Sequence, residues 1–174
     1  MSEIRLVKPT LKYAKDIMEY RQDFLDSGES MAGCGSLRDC STAEEWIDEI
    51  KILESEETCP EDKVTSNTYL AIRTKDDKLV GVADFRHHIN HPILGVWGGH
   101  IGYSVSPNER RKGYAKEILR LTLVNCMEYG LDKVLVTCDV DNIGSKKTII
   151  SNGGIFEKEI IVDGDKMERY WIHL

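Results

Sequence analysis

Residues 98–115 read GGHIGYSVSPNERRKGYA, and this stretch decides both the expected fold and the expected site. Its first half contains a run of strand-forming residues, Ile101–Val105, which stops at Ser106-Pro107. A cationic turn and Gly113 follow, and a strongly apolar helical pattern comes next. A strand that leads through a glycine-containing turn into a helix N-terminus presents unpaired amide N–H groups, which bind phosphate. The stretch therefore predicts an anion-binding cradle.

The charge around this turn supports an anionic ligand. The chain of 174 residues has a formal net charge of −7, which argues against nonspecific nucleic-acid binding. Between residues 109 and 120, however, five cationic side chains stand against two carboxylates. A locally basic turn on an acidic protein indicates a small anion bound at one place. A solvated helix start is the alternative for such a charge cluster.

The spacing Arg110-x-x-Gly113-x-Ala115, after a strand and a proline, resembles the acyl-CoA-binding motif of the GNAT superfamily of N-acyltransferases. Gly113 suits this motif because a side chain would hold a phosphate away from the backbone. The resemblance implies that main-chain amides bind the pyrophosphate of acetyl-CoA, the co-substrate, and that the strand before them contacts its pantetheine arm. The residues of this segment implied to bind acetyl-CoA are Ser104, Val105, Arg110, Arg111, Lys112, Gly113, Tyr114, Ala115 and Lys116.

A second match to the same family lies downstream. The strand predicted at residues 133–138 leads to Asn142-x-x-Ser145 and to a helix that stops at Gly153-Gly154. This order is similar to the family's later strand, its pantetheine-contacting asparagine and the helix that follows. The resemblance implies that Asn142 and Ser145 complete the acetyl-CoA site. The alternative for Asn142 is a turn residue at a helix start, which asparagine favours anyway.

The composition is typical of one soluble domain spanning residues 1–174, with 41% hydrophobic and 30% charged residues. No apolar run approaches the length of a membrane span, and the N-terminus lacks the apolar segment of a secretory signal, so we expect a cytoplasmic protein without a membrane partner. The five cysteines are scattered without CxxC spacing, which favours free thiols over zinc ligands. His87-His88-x-x-His91 is interpreted as a hairpin edge, so no metal is expected.

Hydrophobic periodicity and turn residues predict the element order β-α-α-β-β-β-α-β-α-β-β. The expected fold class is α/β, a mixed sheet with helices on both faces. The order matches the GNAT acyl-CoA N-acyltransferase fold, in which the fourth and fifth strands splay and admit the cofactor. The predicted strands are 4–8, 68–74, 79–88, 98–106, 133–138, 155–162 and 167–173, and the predicted helices are 10–27, capped by Thr10, one capped by Ser41-x-x-Glu44, 109–129 and 143–151.

Transfer of an acetyl group to an amine requires the amine to be neutral, and a lysine-like amine has a pKa near ~10.4. A base or a water chain is therefore needed at neutral pH. His100 is the first candidate, because it is on the strand that presents the thioester and histidine titrates near neutrality. Asp84, on the adjacent strand, is the second. The alternative for His100 is a packing or edge residue.

The acceptor is expected over the two N-terminal helices and the region between the third and fourth strands. The candidate residues there are Tyr20, Phe24, Arg86, His87 and His88. The chain departs from the family in the helix after the asparagine, where many members carry a tyrosine as the acid for the departing thiolate and this chain has Ile149. Tyr103 and Cys138 are weak substitutes. A thiol pKa near ~8.5 makes thiolate a tolerable leaving group even without an acid.

These observations predict an N-acetyltransferase that moves an acetyl group from acetyl-CoA to a primary amine of a small molecule or peptide, by direct transfer in a ternary complex. A non-catalytic acyl-CoA-binding or regulatory module of the same fold is the alternative, which the missing tyrosine slightly favours. A nucleotide-binding domain of another kind ranks last, because the chain lacks both the Gly-x-Gly-x-x-Gly and the Walker fingerprints. No nucleic-acid partner is expected, and a homodimer remains open.

Overall fold

The computed structural model describes residues 3–174, and within them the secondary structure follows the predicted order. The strands are β1 (Ile4–Val7), β2 (Ser66–Arg73), β3 (Lys78–Arg86), β4 (Ile101–Val105), β5 (Lys133–Asp139), β6 (Ile155–Val162) and β7 (Asp165–His173). The α-helices are α1 (Ala14–Ser27), α2 (Ala43–Ile52), α3 (Tyr114–Tyr129) and α4 (Ile143–Ser151).

The strands form two sheets rather than one continuous sheet. The first has the order β1-β2-β3-β4 and the second the order β5-β7-β6, and every ladder within them is antiparallel. Within residues 3–174 no ladder joins β4 to β5, so the sheets separate where the splay was predicted. The predicted fold class is confirmed, because this arrangement of antiparallel sheets and helices is that of the GNAT fold.

Helices cover both faces of the first sheet, which explains why its strands are buried on both sides. Helices α1 and α2 pack on one face, where Phe24 and Trp46 are fully buried in the same cluster as Leu70 of β2. On the other face α3 packs through Ile118 against Val80 and Ala83 of β3. Full burial of one such side chain stabilises the fold by roughly 1.5–3 kcal/mol.

Helix α4 completes the core by packing on the second sheet. Its Ile149 is fully buried against Val134 and Val136 of β5 and Tyr170 of β7. The position where many family members carry a tyrosine is therefore a core position in this chain. No helix in the described residues is long and apolar enough to cross a bilayer.

The N-termini of the first two helices differ from the sequence prediction. Thr10 makes no capping bond, and a 3₁₀ turn at Leu11–Tyr13 precedes α1. The cap of α2 lies one residue later than predicted: the Thr42 side chain accepts from the Glu45 amide at 3.2 Å. The segment Ser-Thr-Ala-Glu-Glu offers the Ser/Thr-x-x-Glu spacing in two registers, and sequence alone did not separate them.

The fourth strand is shorter than predicted because the connection before it coils. Residues Leu94–Gly98 form a single π-helical turn, and Gly99 adopts a φ of +66°. A Cβ at Gly99 would lie 2.7 Å from the carbonyl oxygen of Leu135, so only glycine permits this approach to β5. The segment 93–100 therefore connects the two sheets at the beginning of β4.

The connection between α1 and α2 lies directly on β4. Gly33 has a φ of +78°, and a Cβ there would lie 2.5 Å from the carbonyl oxygen of Gly102. The Ser104 hydroxyl donates to the carbonyl of Ala32 at 2.7 Å, and the Trp46 indole donates to the carbonyl of Cys34 at 2.8 Å. This segment, residues 28–42, is called the α1–α2 loop below.

We predict that Gly33→Ala lowers the free energy of unfolding by about 3 kcal/mol, since it combines left-handed backbone strain with a clash against a strand backbone. Gly35→Ala is the matched control, because Gly35 has a φ of +53° and nothing within 4 Å of its ideal Cβ. Strain alone costs about 1 kcal/mol there. Urea unfolding measures both variants, and equal losses would contradict the close contact with Gly102.

Candidate active site

A cleft of about 720 Å³ opens where β4 and β5 separate, between the α1–α2 loop on one side and the N-termini of α3 and α4 on the other. Of the eleven residues predicted to bind acetyl-CoA, ten line it: Ser104, Val105, Arg110, Arg111, Gly113, Tyr114, Ala115, Lys116, Asn142 and Ser145. The eleventh, Lys112, instead forms an ion pair with Glu109 at 2.7 Å. The structure thus brings the two predicted motifs together around one space.

The turn before α3 has the backbone of an anion site. Helix α3 begins at Tyr114 rather than at residue 109, because Pro107–Glu109 form a 3₁₀ turn and Arg110 is extended. Arg111 has a φ of +60° and Gly113 a φ of +83°. Residues in such left-handed conformations turn successive N–H groups toward a concave surface that binds anions.

The amides of this turn are available to a ligand. None of the N–H groups from Arg111 to Lys116 donates to an acceptor among the described residues, and the first amide bond of the helix is from Glu117 to Gly113. The turn is therefore not closed by the protein's own carbonyls, and the helix dipole adds to the attraction for an anion.

Among residues 3–174, no strand pairs with the edge of β4 that faces the cleft. Ser106 donates to Val80 on β3, and because antiparallel pairing alternates, the backbone groups of Tyr103 and Val105 point away from β3. The amide predicted for Val105 thus faces the cleft, whereas that of Ser104 faces β3. The side chain of Ser104 lines the cleft instead, and its hydroxyl lies within hydrogen-bond distance, 2.9 Å, of the Tyr20 hydroxyl.

Asn142 and Ser145 meet β4 across the splay. The Asn142 side chain caps α4 by accepting from the Ser145 amide at 3.0 Å. The Ser145 hydroxyl lies 2.8 Å from the Tyr103 hydroxyl. Burial raises the pKa of Tyr103 to about 12, so its hydroxyl is protonated at neutral pH.

Comparison with known proteins identifies this arrangement. The sequence model described as acetyltransferase (GNAT) domain matches residues 3–155. The chain belongs to the GNAT acetyltransferase family. The resemblance read from its two motifs and the prediction that it is an acyltransferase are both confirmed. No curated protein sequence matches it significantly.

Solved structures agree with this GNAT fold. RimL, a ribosomal alpha-N-protein acetyltransferase in complex with coenzyme A, has a TM-score of 0.71 at 16% identity over 100% of this chain and 96% of its own. The microcin self-immunity acetyltransferase MccE with acetyl-CoA and AMP has a TM-score of 0.70 at 21% identity, covering 100% and 94%. A spermidine N-acetyltransferase SpeG chimera from Vibrio cholerae and hSSAT has a TM-score of 0.62 at 15% identity, covering 99% of this chain and 96% of its own.

His100 does not line the cleft of this GNAT chain. The residue is 6% exposed and bonds twice to β5: its amide donates to the Leu135 carbonyl at 2.8 Å, and its Nδ1 accepts from the Leu135 amide at 2.9 Å. Burial is the main reason that its pKa falls from 6.5 to about 4. The geometry is that of a neutral histidine joining the two sheets, which is the alternative role considered from sequence.

Asp84, the second candidate base, lies on β3 beside β4 and is also buried. It lies opposite Gly102 in the β3–β4 ladder and is 8% exposed. Its Oδ2 forms an ion pair with the Nε of Arg86 at 3.0 Å, whereas Oδ1 has no hydrogen-bond partner among the described residues. Burial raises the pKa of this carboxyl above its ordinary 3.8. A buried carboxylate with an unused oxygen is suited to accept a proton.

The residues predicted for the acceptor do not gather at one place. Phe24 lines the cleft, under the guanidinium of Arg110. Tyr20 is buried behind Ser104. Arg86 is paired with Asp84 and donates to the Gly98 carbonyl, and His87 stacks on Tyr129 of α3 with 4.1 Å between ring centroids. His88 is exposed, and its ring accepts from the amide of residue 90.

The cleft also contains residues that sequence reasoning did not assign. The α1–α2 loop contributes Glu29, Ser30 and Ala32, the end of β5 contributes Asp139, and the turn after β5 contributes Asp141. The glycine- and serine-rich composition of the first segment was the available signal, since such loops commonly carry function. Nothing in its sequence showed that it lies on β4. The described residues contain no group of three potential metal ligands.

We predict that protonation of His100 destabilises the fold below pH 6.5. The unfolded chain gains this proton near pH 6.5, while the folded chain stays neutral until about pH 4. The free energy of unfolding contributed by this group is thus fully present above pH 6.5 and falls by about 3 kcal/mol on acidification to pH 4.

Urea unfolding between pH 4 and 8 tests this, with His100→Asn as the reference. Asparagine offers an oxygen to the Leu135 amide but does not titrate in this range. The difference in stability between the native protein and the variant should shrink as the pH falls. Parallel curves for both proteins would refute the assignment of His100 as a buried neutral link.

Proposed function

We propose that the protein is an N-acetyltransferase that moves an acetyl group from acetyl-CoA to a primary amine of a small molecule or peptide by direct transfer in a ternary complex. The observation that carries the proposal is the row of free amides from Arg111 to Lys116 at the end of an unpaired strand edge. A diphosphate fits these donors, and an extended amide-containing arm fits the edge of β4. RimL and MccE, which have this fold, hold coenzyme A and acetyl-CoA.

The donor would lie with its diphosphate on the turn and its thioester toward the middle of β4. The backbone groups of Val105 and Tyr103, which point into the cleft, are positioned to bind the pantetheine arm. An N–H group aimed at the developing oxyanion contributes about 3 kcal/mol to such a reaction. Most of this donor site is main chain.

We assign the proton acceptor to Asp84 rather than to His100. A base must hold a free lone pair toward the amine, and the Nδ1 of His100 is already bonded to Leu135. The Oδ1 of Asp84 is unused, and burial makes the carboxylate a better base by raising its pKa. Between it and the cleft stand the Ser104–Ala32 hydrogen bond and the contact of Gly33 with Gly102, so the proposed proton transfer requires the α1–α2 loop to shift when the amine binds.

Proton and bond changes then balance within the ternary complex. The amine reacts in its neutral form, after its ammonium form has released one proton to water. Its nitrogen then forms the C–N bond and gives a second proton to Asp84, and the C–S bond breaks to give thiolate. The Tyr103 hydroxyl lines the cleft and, bonded to Ser145, is positioned to donate a hydrogen bond to the departing sulfur while keeping its own proton. With a thiol pKa near ~8.5 this donation assists departure without being obligatory.

The acceptor class is proposed from the site and its relatives together. RimL acts on a ribosomal protein and SpeG on spermidine, so the fold accommodates both peptide and small-molecule amines. In this chain Phe24, Glu29 and Ser30 line the cleft beside the α1–α2 loop, and this loop forms the acceptor side. We propose a cytoplasmic location, which suits five unpaired cysteines.

We predict that the protein releases free thiol from acetyl-CoA when supplied with a panel of polyamines, amino acids and peptides, and that Gly113→Glu abolishes acetyl-CoA binding measured by calorimetry. The new carboxylate repels the diphosphate and fills the space in front of the amides. Gly130→Glu is the matched control: Gly130 also has a positive φ, +106°, with nothing within 4 Å, but ends α3 away from the cleft.

The outcomes separate the proposal from its alternative. Equal binding in native protein and Gly113→Glu would contradict the phosphate cradle. Tight binding of acetyl-CoA without turnover on any amine would instead support a non-catalytic acyl-CoA-binding module.

We predict that Asp84→Asn lowers kcat about 10²-fold or more while leaving the affinity for acetyl-CoA unchanged, because it removes the proton acceptor but no donor contact. The native rate should fall as the pH drops through the raised pKa of Asp84, where the carboxylate becomes protonated. Stopped-assay kinetics across pH measures both effects. An unaltered kcat or pH–rate profile in the variant would remove Asp84 from this role.

A further inference from the structure

A buried carboxylate lies where the cradle should be most positive. Glu109 directly precedes the cationic residues 110–112 and lines the cleft, and it is 4% exposed. Its charge opposes an anionic ligand. Its place in a phosphate-binding turn therefore needs a reason other than attraction of the phosphate.

Three cations from separate parts of the chain hold this carboxylate. Oε2 accepts from Arg73 and from Lys112, at 2.8 and 2.7 Å, and Oε1 accepts from Lys78 at 2.8 Å. These bonds outweigh burial and lower the pKa of Glu109 to about 2. The carboxylate is thus charged at any physiological pH, and it ties the β2–β3 hairpin to the turn.

The network reaches the first residue of α3 as well. The guanidinium of Arg73 also contacts the Tyr114 hydroxyl at 3.3 Å, and its other nitrogens are bonded to Asp76. Arg73 is 9% exposed, and Tyr114 is 6% exposed. The turn is therefore fixed on both sides of Arg111, at Glu109 before it and at Lys112 directly after it, and the contact with Tyr114 holds the start of α3.

Between these two fixed points the backbone is strained. Arg111 is a non-glycine residue at a φ of +60°, a conformation that costs roughly 1–2 kcal/mol. Such conformations persist only where the surrounding structure imposes them. The bonds of Glu109 to Lys112 and Arg73, together with those of Arg110 to Glu29 and to the Val105 carbonyl, hold this stretch of backbone.

We propose that Glu109 is a positioning residue that holds residues 110–113 in their phosphate-binding conformation before the ligand arrives. The inference deepens the proposed function, on which it rests for the identity of the diphosphate ligand. A positioning role predicts the opposite effect on ligand binding from the one that the charge of Glu109 alone predicts. Removal of a negative charge beside an anion site should strengthen binding, whereas loss of a positioning residue weakens it.

The test is Glu109→Gln, which keeps the shape of the side chain and removes its charge. We expect coenzyme A to bind 10- to 100-fold more weakly by calorimetry, and the KM for acetyl-CoA to rise in proportion while kcat stays within threefold. S-acetylpantetheine, which lacks the diphosphate, should be used with unchanged kcat/KM. A general loss of structure would instead lower kcat/KM for S-acetylpantetheine as well.

Glu157→Gln is the matched control. Glu157 lies on the second sheet and pairs at 2.5 Å with Arg169, whose side chain is 9% exposed. The substitution removes a carboxylate from a buried arginine away from the cleft and should leave coenzyme A binding unchanged. If Glu109→Gln does not fold, Glu109→Asp replaces it: the charge is kept, the reach is shortened, and weaker binding of coenzyme A is again expected.

Two results would overturn the inference. One is unchanged or tighter binding of coenzyme A by Glu109→Gln. The other is an equal loss with acetyl-CoA and S-acetylpantetheine, which would make the role one of general stability. Calorimetry with coenzyme A needs no turnover, so a failure of the catalytic proposal leaves this test in force.

Discussion

The central constraint on this structure is that two strand edges face one another without pairing. Backbone N–H and C=O groups that are buried without partners cost about 1–3 kcal/mol each, so a separation of β4 from β5 is tolerated only if it opens to solvent or ligand. The chain meets this condition by joining the sheets at one end, through His100 and Leu135, and leaving the other end open. This arrangement, closed at one end and open at the other, produces the cleft, the exposed edge of β4 and the access to the phosphate-binding turn.

Much of this arrangement could be predicted from sequence because its parts are local. The run Ile101–Val105, the glycine at 113 and the Asn142-x-x-Ser145 spacing each specify a backbone feature within a few residues, and ten of the eleven residues they implied meet in the cleft. The start of α3 was predicted too early because propensity does not distinguish a helical residue from Arg111, which adopts a left-handed φ of +60°.

The roles of ionisable groups were harder to predict, because residue type gives the ordinary pKa and the environment gives the actual one. His100 titrates near neutrality as a free side chain, but its burial against β5 makes it neutral and occupies its lone pair. A free aspartate in water is a weak base, and burial makes Asp84 a stronger one by raising its pKa. His87 lies on the side of the sheet that carries α3, which only the register of β3 determines.

The contact between the α1–α2 loop and β4 has a consequence for how this enzyme can diversify. Gly33 and Gly102 meet backbone to backbone, so a methyl group at either position disturbs the other. The two positions are therefore coupled, and mutational drift at one is restricted by the other. Glu29 and Ser30, which line the cleft shortly before Gly33, are not part of that coupling, so new acceptor preferences can arise there without a change at either glycine.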